Sequence, residues 1–307
     1  MEKDLIIIGN GPAGLSAAIY AVRAGYQVLV LSDNPMPGGQ IAMTYEVENY
    51  PGIMDVSGAE LGQRFLNHAV AQGVEFATET VSSIEDSGYL KTVVTNKNRY
   101  QTQGVVIATG ATHKRLGVIG EEEFIGQGVS YCATCDGAFF KNRMVAVVGG
   151  GDVALEDAIF LSRFAAKVYL IHRRKEFRGA AVLQEQVRKI DKIEIIYDSV
   201  IDEIQGQDMV ETVLLRNVVT EEQTLLPVNG VFMAVGILPN IGGIQGLPKQ
   251  DPAGYVIAKE DCVTSIPGIF VAGDVRTKQL RQVVTAAADG ANAITSFSQY
   301  LQGNISG

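Results

Sequence analysis

The chain has 307 residues, enough for two domains that each bury a core of their own. A net charge of −9 leaves no basic face for nucleic acid, and its apolar runs are of strand length, too short to cross a bilayer. Three cysteines in a chain of this size exclude a disulfide-stapled fold. Met1-Glu2-Lys3-Asp4 also runs straight into an apolar stretch without a secretory pattern, so a cytoplasmic protein is expected.

Residues 4–8 read as a parallel strand buried on both faces, and Gly9-Asn10-Gly11-Pro12-Ala13-Gly14 follows as G-x-G-x-x-G. Gly9 permits the tight turn, Gly11 lets a pyrophosphate approach the backbone, and Gly14 lets helix and strand pack closely. Pro12 suits the first helical position, where its missing N–H costs nothing. Leu15, Ala18, Ile19 and Val22 recur at helical spacing, and Gly25 stops the helix. The strand Gln27–Leu31 completes a βαβ unit whose helix N-terminus, beginning at Pro12 and Ala13, would hold a diphosphate. A carboxylate for the ribose belongs at the end of that second strand, where the chain offers Ser32 and then Asp33. Residues 35–52, rich in proline and glycine and including Gly39, Gln40 and Asn49, form either a loop over the cofactor or an ordinary surface loop. A helix near Gly58–Gln72, short strands over 74–103 and a buried strand Val105–Ala108 ending in Thr109-Gly110 come next.

Cys132-Ala133-Thr134-Cys135 follows. Two cysteines with two residues between them can close as a disulfide or open as a dithiol whose thiolate attacks a partner disulfide. Asp136 adds a carboxyl group where a proton must move. Zinc lacks ligands here, since only Cys262, His68, His113 and His172 remain. Met144–Val148 then opens a second βαβ unit with Gly149-Gly150-Gly151-Asp152-Val153-Ala154 as G-x-G-x-x-A, a helix carrying Leu155, Ala158, Ile159 and Ser162, and the strand Lys167–Ile171. No acid ends that strand. His172-Arg173-Arg174-Lys175-Glu176-Phe177-Arg178 stands there instead, and clustered arginines suit a 2′-phosphate, so NADPH is expected over NADH. Residues 181–228 read as helix and β-hairpins, and Val231–Gly236 as a strand into a turn before Ile237. Gly268–Asp274 reads as a strand that delivers Gly273 and Asp274 at the ligand-binding edge of a sheet. A final, largely buried helix runs from about Arg281 to Leu301. The expected fold is α/β, with two Rossmann-like dinucleotide-binding domains and a redox dithiol between their signatures.

Together these stretches resemble the low-molecular-weight thioredoxin reductases of bacteria, archaea and plants over essentially the whole chain. The sharpest elements are Gly9–Gly14, Cys132–Asp136, Gly149–Ala154, His172–Arg178, and Gly273-Asp274 followed by Arg281-Gln282-Val283. The resemblance implies FAD in the first site, with Gln40, Asn49 and Asp274 near the flavin or ribitol and Arg281-Gln282 beside the ring system. It also implies a homodimer and a split FAD domain, 1–112 plus 243–307, with the NADPH domain 113–242 inserted and carrying the cysteines. Electrons would pass from NADPH through FAD to the Cys132–Cys135 disulfide and on to thioredoxin. Cys135 would face the flavin, Cys132 would attack thioredoxin and Asp136 would move protons.

Short crossings near 111–117 and 236–243 lead to the expectation of a hinge rotation that alternates nicotinamide and cysteines at the flavin. The chain departs from the family at Ser32, often a glutamate there, and at Val153, commonly serine or threonine. The intact arginine motif argues against the ferredoxin-dependent flavin reductases and the oxygen-using dithiol oxidases of this group. Rival readings keep the relay but serve a glutaredoxin-like or peroxidase-linked partner, or make the protein a non-catalytic redox sensor.

Overall fold

Leu5, Ile6, Ile7 and Ile8 are all buried, because their strand β1 (Glu2–Ile8) is covered on both faces. Leu5 and Ile7 join one core cluster, while Ile6 and Ile8 join another on the opposite side of the sheet. That double burial explains an apolar run without alternation. The structure is a computed structural model and describes residues 2–44 and 46–303. It divides into two units, Met1–Thr112 with Leu238–Gly307, and His113–Ile237.

In the first unit β1 leads into α1 (Pro12–Arg23) and then β2 (Val28–Ser32), parallel to β1. The stretch after β2 includes a 3-10 turn, Gly39–Met43, within what the sequence suggested was loop alone. Then come α2 (Gly58–Ala71), capped by Ser57 accepting from the Glu60 N–H, and β3 (Glu75–Thr78) beside β2. A meander follows, β4 (Val81–Ser87), β5 (Leu90–Thr95) and β6 (Arg99–Ile107). β6 is one nine-residue strand: its start pairs antiparallel with β5, and from Gln101 to Ile107 it runs parallel to β1. The chain leaves the unit through β7 (Ala111–His113).

The second unit starts with β8 (Val129–Ser130) and the one-turn helix α3 (Ala133–Asp136). A second βαβ unit follows from β9 (Met144–Gly149), α4 (Asp152–Leu161) and β10 (Lys167–Ile171), continued by α5 (Ala181–Lys189) and β11 (Ile193–Ile196). The antiparallel strands β12 (Ser199–Gly206), β13 (Val210–Asn217) and β14 (Gln223–Pro227) form a separate sheet. β15 (Gly230–Ala234) then inserts between β9 and β8, so the parallel sheet reads β11-β10-β9-β15-β8. The chain returns through β16 (Ile237–Pro239), which pairs with β7.

The return differs from expectation. The first unit resumes at Leu238 rather than at 243. Asn240 explains why: its N–H donates to the Gly110 carbonyl at 2.9 Å, and its side chain bonds Thr109 and Thr112. β17 (Ile269–Val271) then adds to the free edge of β6, and α6 (Val283–Leu301) packs on α1. The helices approach closely because Gly290 has no Cβ; one there would collide with the Ala13 carbonyl. Ser16 fixes the register by donating to the Ala287 carbonyl at 2.7 Å. No helix among the described residues is long and apolar enough to cross a membrane.

Candidate functional site

The first unit carries a cleft of about 720 Å3 at the carboxyl ends of β1 and β6. Gly9, with φ +115°, turns the chain from β1 into α1, and a Cβ on it would strike Ala108. Gly14 lies against the Gly9 carbonyl with no room for a side chain, whereas a Cβ on Gly11, in the cleft wall, would meet only the Gly38 carbonyl at 3.9 Å and leave the space before it open. No side chain caps α1 at Gly11, so the positive end of its dipole points into that space.

Two buried polar atoms lining this cleft have no hydrogen-bond partner among the described residues: Thr109 Oγ1 and Asp274 Oδ1. Burial pushes the Asp274 carboxyl up, against the pull of Lys278 and Arg281. Orphaned polar atoms of this kind need a partner. An extended ligand with hydroxyl groups would supply one. Asp274 is carried on a rigid mount. Asp289 accepts from the Gly273 N–H at 2.9 Å, from both Arg276 Nη2 and Nε, and from Lys278 at 2.8 Å.

In the second unit Gly149-Gly150-Gly151 makes the corresponding turn. A Cβ on Gly149 would stand 2.5 Å from the Ala234 carbonyl, while Gly151, the N-cap of α4, again faces open space. Arg173, Arg174 and Arg178 are exposed, and their guanidinium groups make no hydrogen bond or ion pair among the described residues. His172 behaves differently. It is 5% exposed, lies beneath Gly150, bonds the Glu176 carbonyl at 3.0 Å and packs on Phe177. Its place is under the turn that a nucleotide would rest on. Asp152 accepts from the Ala180 N–H at 2.6 Å and so ties α4 to the start of α5. Val153 is 57% exposed at the mouth of the turn.

Cys132 and Cys135 are joined as a disulfide with Cα atoms 5.3 Å apart. Cys132 is the N-cap of α3, and its Sγ accepts from the Cys135 N–H at 3.2 Å. Asp136 follows, half-buried; burial pushes its carboxyl up, and a 2.6 Å hydrogen bond from Ser130 opposes that shift. Gly137 is required there, since a Cβ would press on Leu161 and Phe164 behind α3. On the other side Tyr131 donates to Glu121 at 2.7 Å and stacks on His113, whose imidazole burial holds below its usual range.

The model of the pyridine nucleotide-disulphide oxidoreductases matches residues 3–290. The chain belongs to that family. A thioredoxin reductase of Listeria innocua serovar 6a is 43% identical over 300 residues, covering 97% of this chain and 94% of that protein. The crystal structure of thioredoxin reductase from Streptococcus pyogenes MGAS5005 superposes with a TM-score of 0.94 at 44% identity, over 98% of this chain and 99% of that one. Lactococcus lactis thioredoxin reductase in the FR conformation gives 0.65 at 41% identity, over 98% and 99% of the two chains. With the closed Cys132–Cys135 bridge, these findings place the chain among the low-molecular-weight thioredoxin reductases, and its function is thioredoxin-disulfide reduction.

In this pyridine nucleotide-disulphide oxidoreductase the cleft gathers most of the residues read from the first signature. Gly9, Gly11, Pro12, Ala13, Ser32, Asp33, Gly39, Gln40, Thr109, Gly110, Gly273, Asp274, Gln282 and Val283 all line it. Gly14, Asn49 and Arg281 do not. Asn49 donates to the Gln282 side chain at 3.0 Å, and Arg281 lies 4.3 Å over the Tyr255 ring. Sequence reasoning missed Asn34, Glu79, Thr80, Thr112, Asn240 and Ala286, which also line the cleft. Glu79 is buried between strands; burial opposes its charge, but hydrogen bonds from Thr95, Tyr100 and Asn98 hold its carboxyl below the usual range. Asn34, directly after Asp33, Thr112, two residues past Gly110, and Asn240, just after the turn at Gly236, stood close enough to a recognised feature to be found.

Proposed function

We propose that the first cleft holds FAD, that the second glycine turn holds NADPH, and that the Cys132–Cys135 dithiol passes the electrons to thioredoxin. The observation that carries this reading is the closed disulfide beside a half-buried carboxyl, on the same unit as a glycine turn flanked by three uncommitted guanidinium groups. FAD fits the first cleft because Thr109 and Asp274 offer buried, unpartnered polar atoms to its polar chain. The uncapped end of α1 faces its diphosphate. When bound, FAD supplies the two-electron step between nicotinamide and disulfide.

The protein's own part is to hold and to move protons. Gly151 and the N-terminus of α4 receive the NADPH diphosphate, and Arg173, Arg174 and Arg178 receive its 2′-phosphate. In the reduced centre the Cys132 thiolate attacks a thioredoxin sulfur, forming a mixed disulfide and expelling the second thioredoxin sulfur as a thiolate. Cys135 then attacks Cys132 Sγ, which restores the protein disulfide and releases the first thioredoxin sulfur. Asp136 takes the Cys135 proton and returns it to one departing thiolate; the other thioredoxin thiolate takes its proton from water, so thioredoxin leaves as a dithiol. An anionic carboxylate beside a thiolate raises the thiol pKa, which suits proton transfer better than thiolate stabilisation. The working form is a homodimer, and the two chain crossings act as the hinge between half-reactions.

Anaerobic titration with NADPH, followed by oxidised thioredoxin, tests the reading. Flavin absorbance should bleach with NADPH and return with thioredoxin. A flavin that stays oxidised with NADPH but bleaches with reduced ferredoxin overturns the donor. A flavin that bleaches but is not restored by thioredoxin overturns the partner.

A further inference from the structure

We propose that Ser130 is a positioning residue of the dithiol centre, which aims and orients the Asp136 carboxylate through a hydroxyl whose own direction is set by the Cys132 backbone. This rests on the role given to Asp136 above.

Ser130 is the last residue of β8 and is 5% exposed. Its backbone is held by the parallel pairing of β8 with β15, where it lies opposite Phe232. A hydroxyl has one hydrogen and two lone pairs. At Ser130 the oxygen accepts from the Cys132 N–H at 3.1 Å, which commits a lone pair on that side. The hydrogen is then free for an acceptor, and Asp136 Oδ2 stands nearest at 2.6 Å; the alternative, the Cys132 carbonyl, is at 3.4 Å. That carbonyl is already occupied by the N–H groups of Cys135 and Asp136, at 3.2 and 3.1 Å. The result is a closed ring, Cys132 N–H to Ser130 Oγ–H to Asp136 Oδ2, with Asp136 N–H returning to Cys132. A short bond from a neutral hydroxyl to a carboxylate favours the ionised, proton-accepting form.

Burial raises the Asp136 carboxyl, and the Ser130 bond opposes that shift. α3 packs against α4, which brings the titratable Asp152, Glu156 and Asp157, and the thiols of Cys132 and Cys135 stand beside it. Only burial and the Ser130 bond move Asp136 from its ordinary value. Asp157 is pushed up to about 7 by its own burial and by Glu156, so it titrates in the working range and must be separated in any test.

The experiment mixes NADPH-reduced enzyme with oxidised thioredoxin in a stopped-flow instrument between pH 5 and 9. It compares the parent, Ser130→Ala, Ser130→Thr, Asp136→Asn and the Ser130→Ala/Asp136→Asn double variant. Ser130→Ala removes the bond that holds the carboxyl down, so the acid limb of the rate profile should move to higher pH. The rate at pH 7 should fall about tenfold, the scale of one hydrogen bond to a charged group. Ser130→Thr should restore both. In the Asp136→Asn background Ser130→Ala should add no further loss, and any limb that remains there belongs to other groups, the attacking Cys132 thiol and Asp157 among them. Thiol counts before and after NADPH confirm that each variant is folded and closes its disulfide. A slower Ser130→Ala with an unmoved limb, or an additive loss in the double variant, reduces Ser130 to a packing role and overturns the proposal. Asp136→Asn at parent rates overturns the assignment of Asp136 and the role of Ser130 together. A slow Asp136→Asn beside an unaffected Ser130→Ala overturns the Ser130 role alone.

Discussion

Single atoms decide how closely a nucleotide can approach each turn. Gly151 faces open space and Gly11 would meet only the Gly38 carbonyl at 3.9 Å, while Gly9, Gly14, Gly149 and Gly150 are pressed by neighbouring backbone or by the His172 ring. The same motif therefore contains two kinds of glycine, one kept clear for a ligand and one required by packing. Gly150→Ala would drive a methyl into the His172 imidazole and tilt the turn, so NADPH binding should weaken while FAD content stays unchanged. Flavin absorbance and NADPH titration on one sample check both. The arginines give a cleaner test of cofactor choice. Replacing Arg173 and Arg178 together by alanine should raise the KM for NADPH roughly tenfold to a hundredfold, with that for NADH little affected, since bidentate guanidinium contacts are specific to the phosphate. A parallel rise for both nucleotides would show that the cluster does not read the 2′-phosphate.

Between elements, the join of β17 and α6 matters most. Asp289 on α6 binds the Gly273 N–H, Arg276 and Lys278, and so holds the short segment that presents Asp274 to the cleft. Burial opposes the Asp289 charge, yet the hydrogen bonds from Arg276 and Lys278 win and keep its carboxyl below the usual range. Asp289→Asn leaves two buried cations with no full counter-charge and should cost about 3 kcal/mol, read as a lower denaturant midpoint. A group held low in the folded state adds stability above its unfolded pKa, and that stability is lost as the pH falls through the folded value. Parent and variant should therefore differ most at neutral pH and converge in acid. Cys262 lies in the same cluster, its thiol pushed up to about 12 by burial, and should resist alkylation in the native protein.

For the whole molecule, the insertion of His113–Ile237 into the other unit leaves two short strands, β7 and β16, as the covalent links. A hinge at these links carries the prediction that an engineered cross-link between the units stops steady turnover yet spares one half-reaction. Full turnover in a cross-linked enzyme would sink the hinge. The features legible along the chain are local: the two glycine turns, the buried strands and the dithiol. Each is set by steric or periodic demands within a few residues, so Gly9–Gly14 and Cys132–Asp136 were readable directly. The rest came from how the folded elements pack. That packing put His172 beneath a turn, brought Glu79 and Asn240 to the cleft, moved the second boundary to Leu238, and joined Asp289 to the mount of Asp274. These placements depend on contacts between residues far apart in the chain, and such contacts follow from how sheets and helices pack, which no local pattern carries.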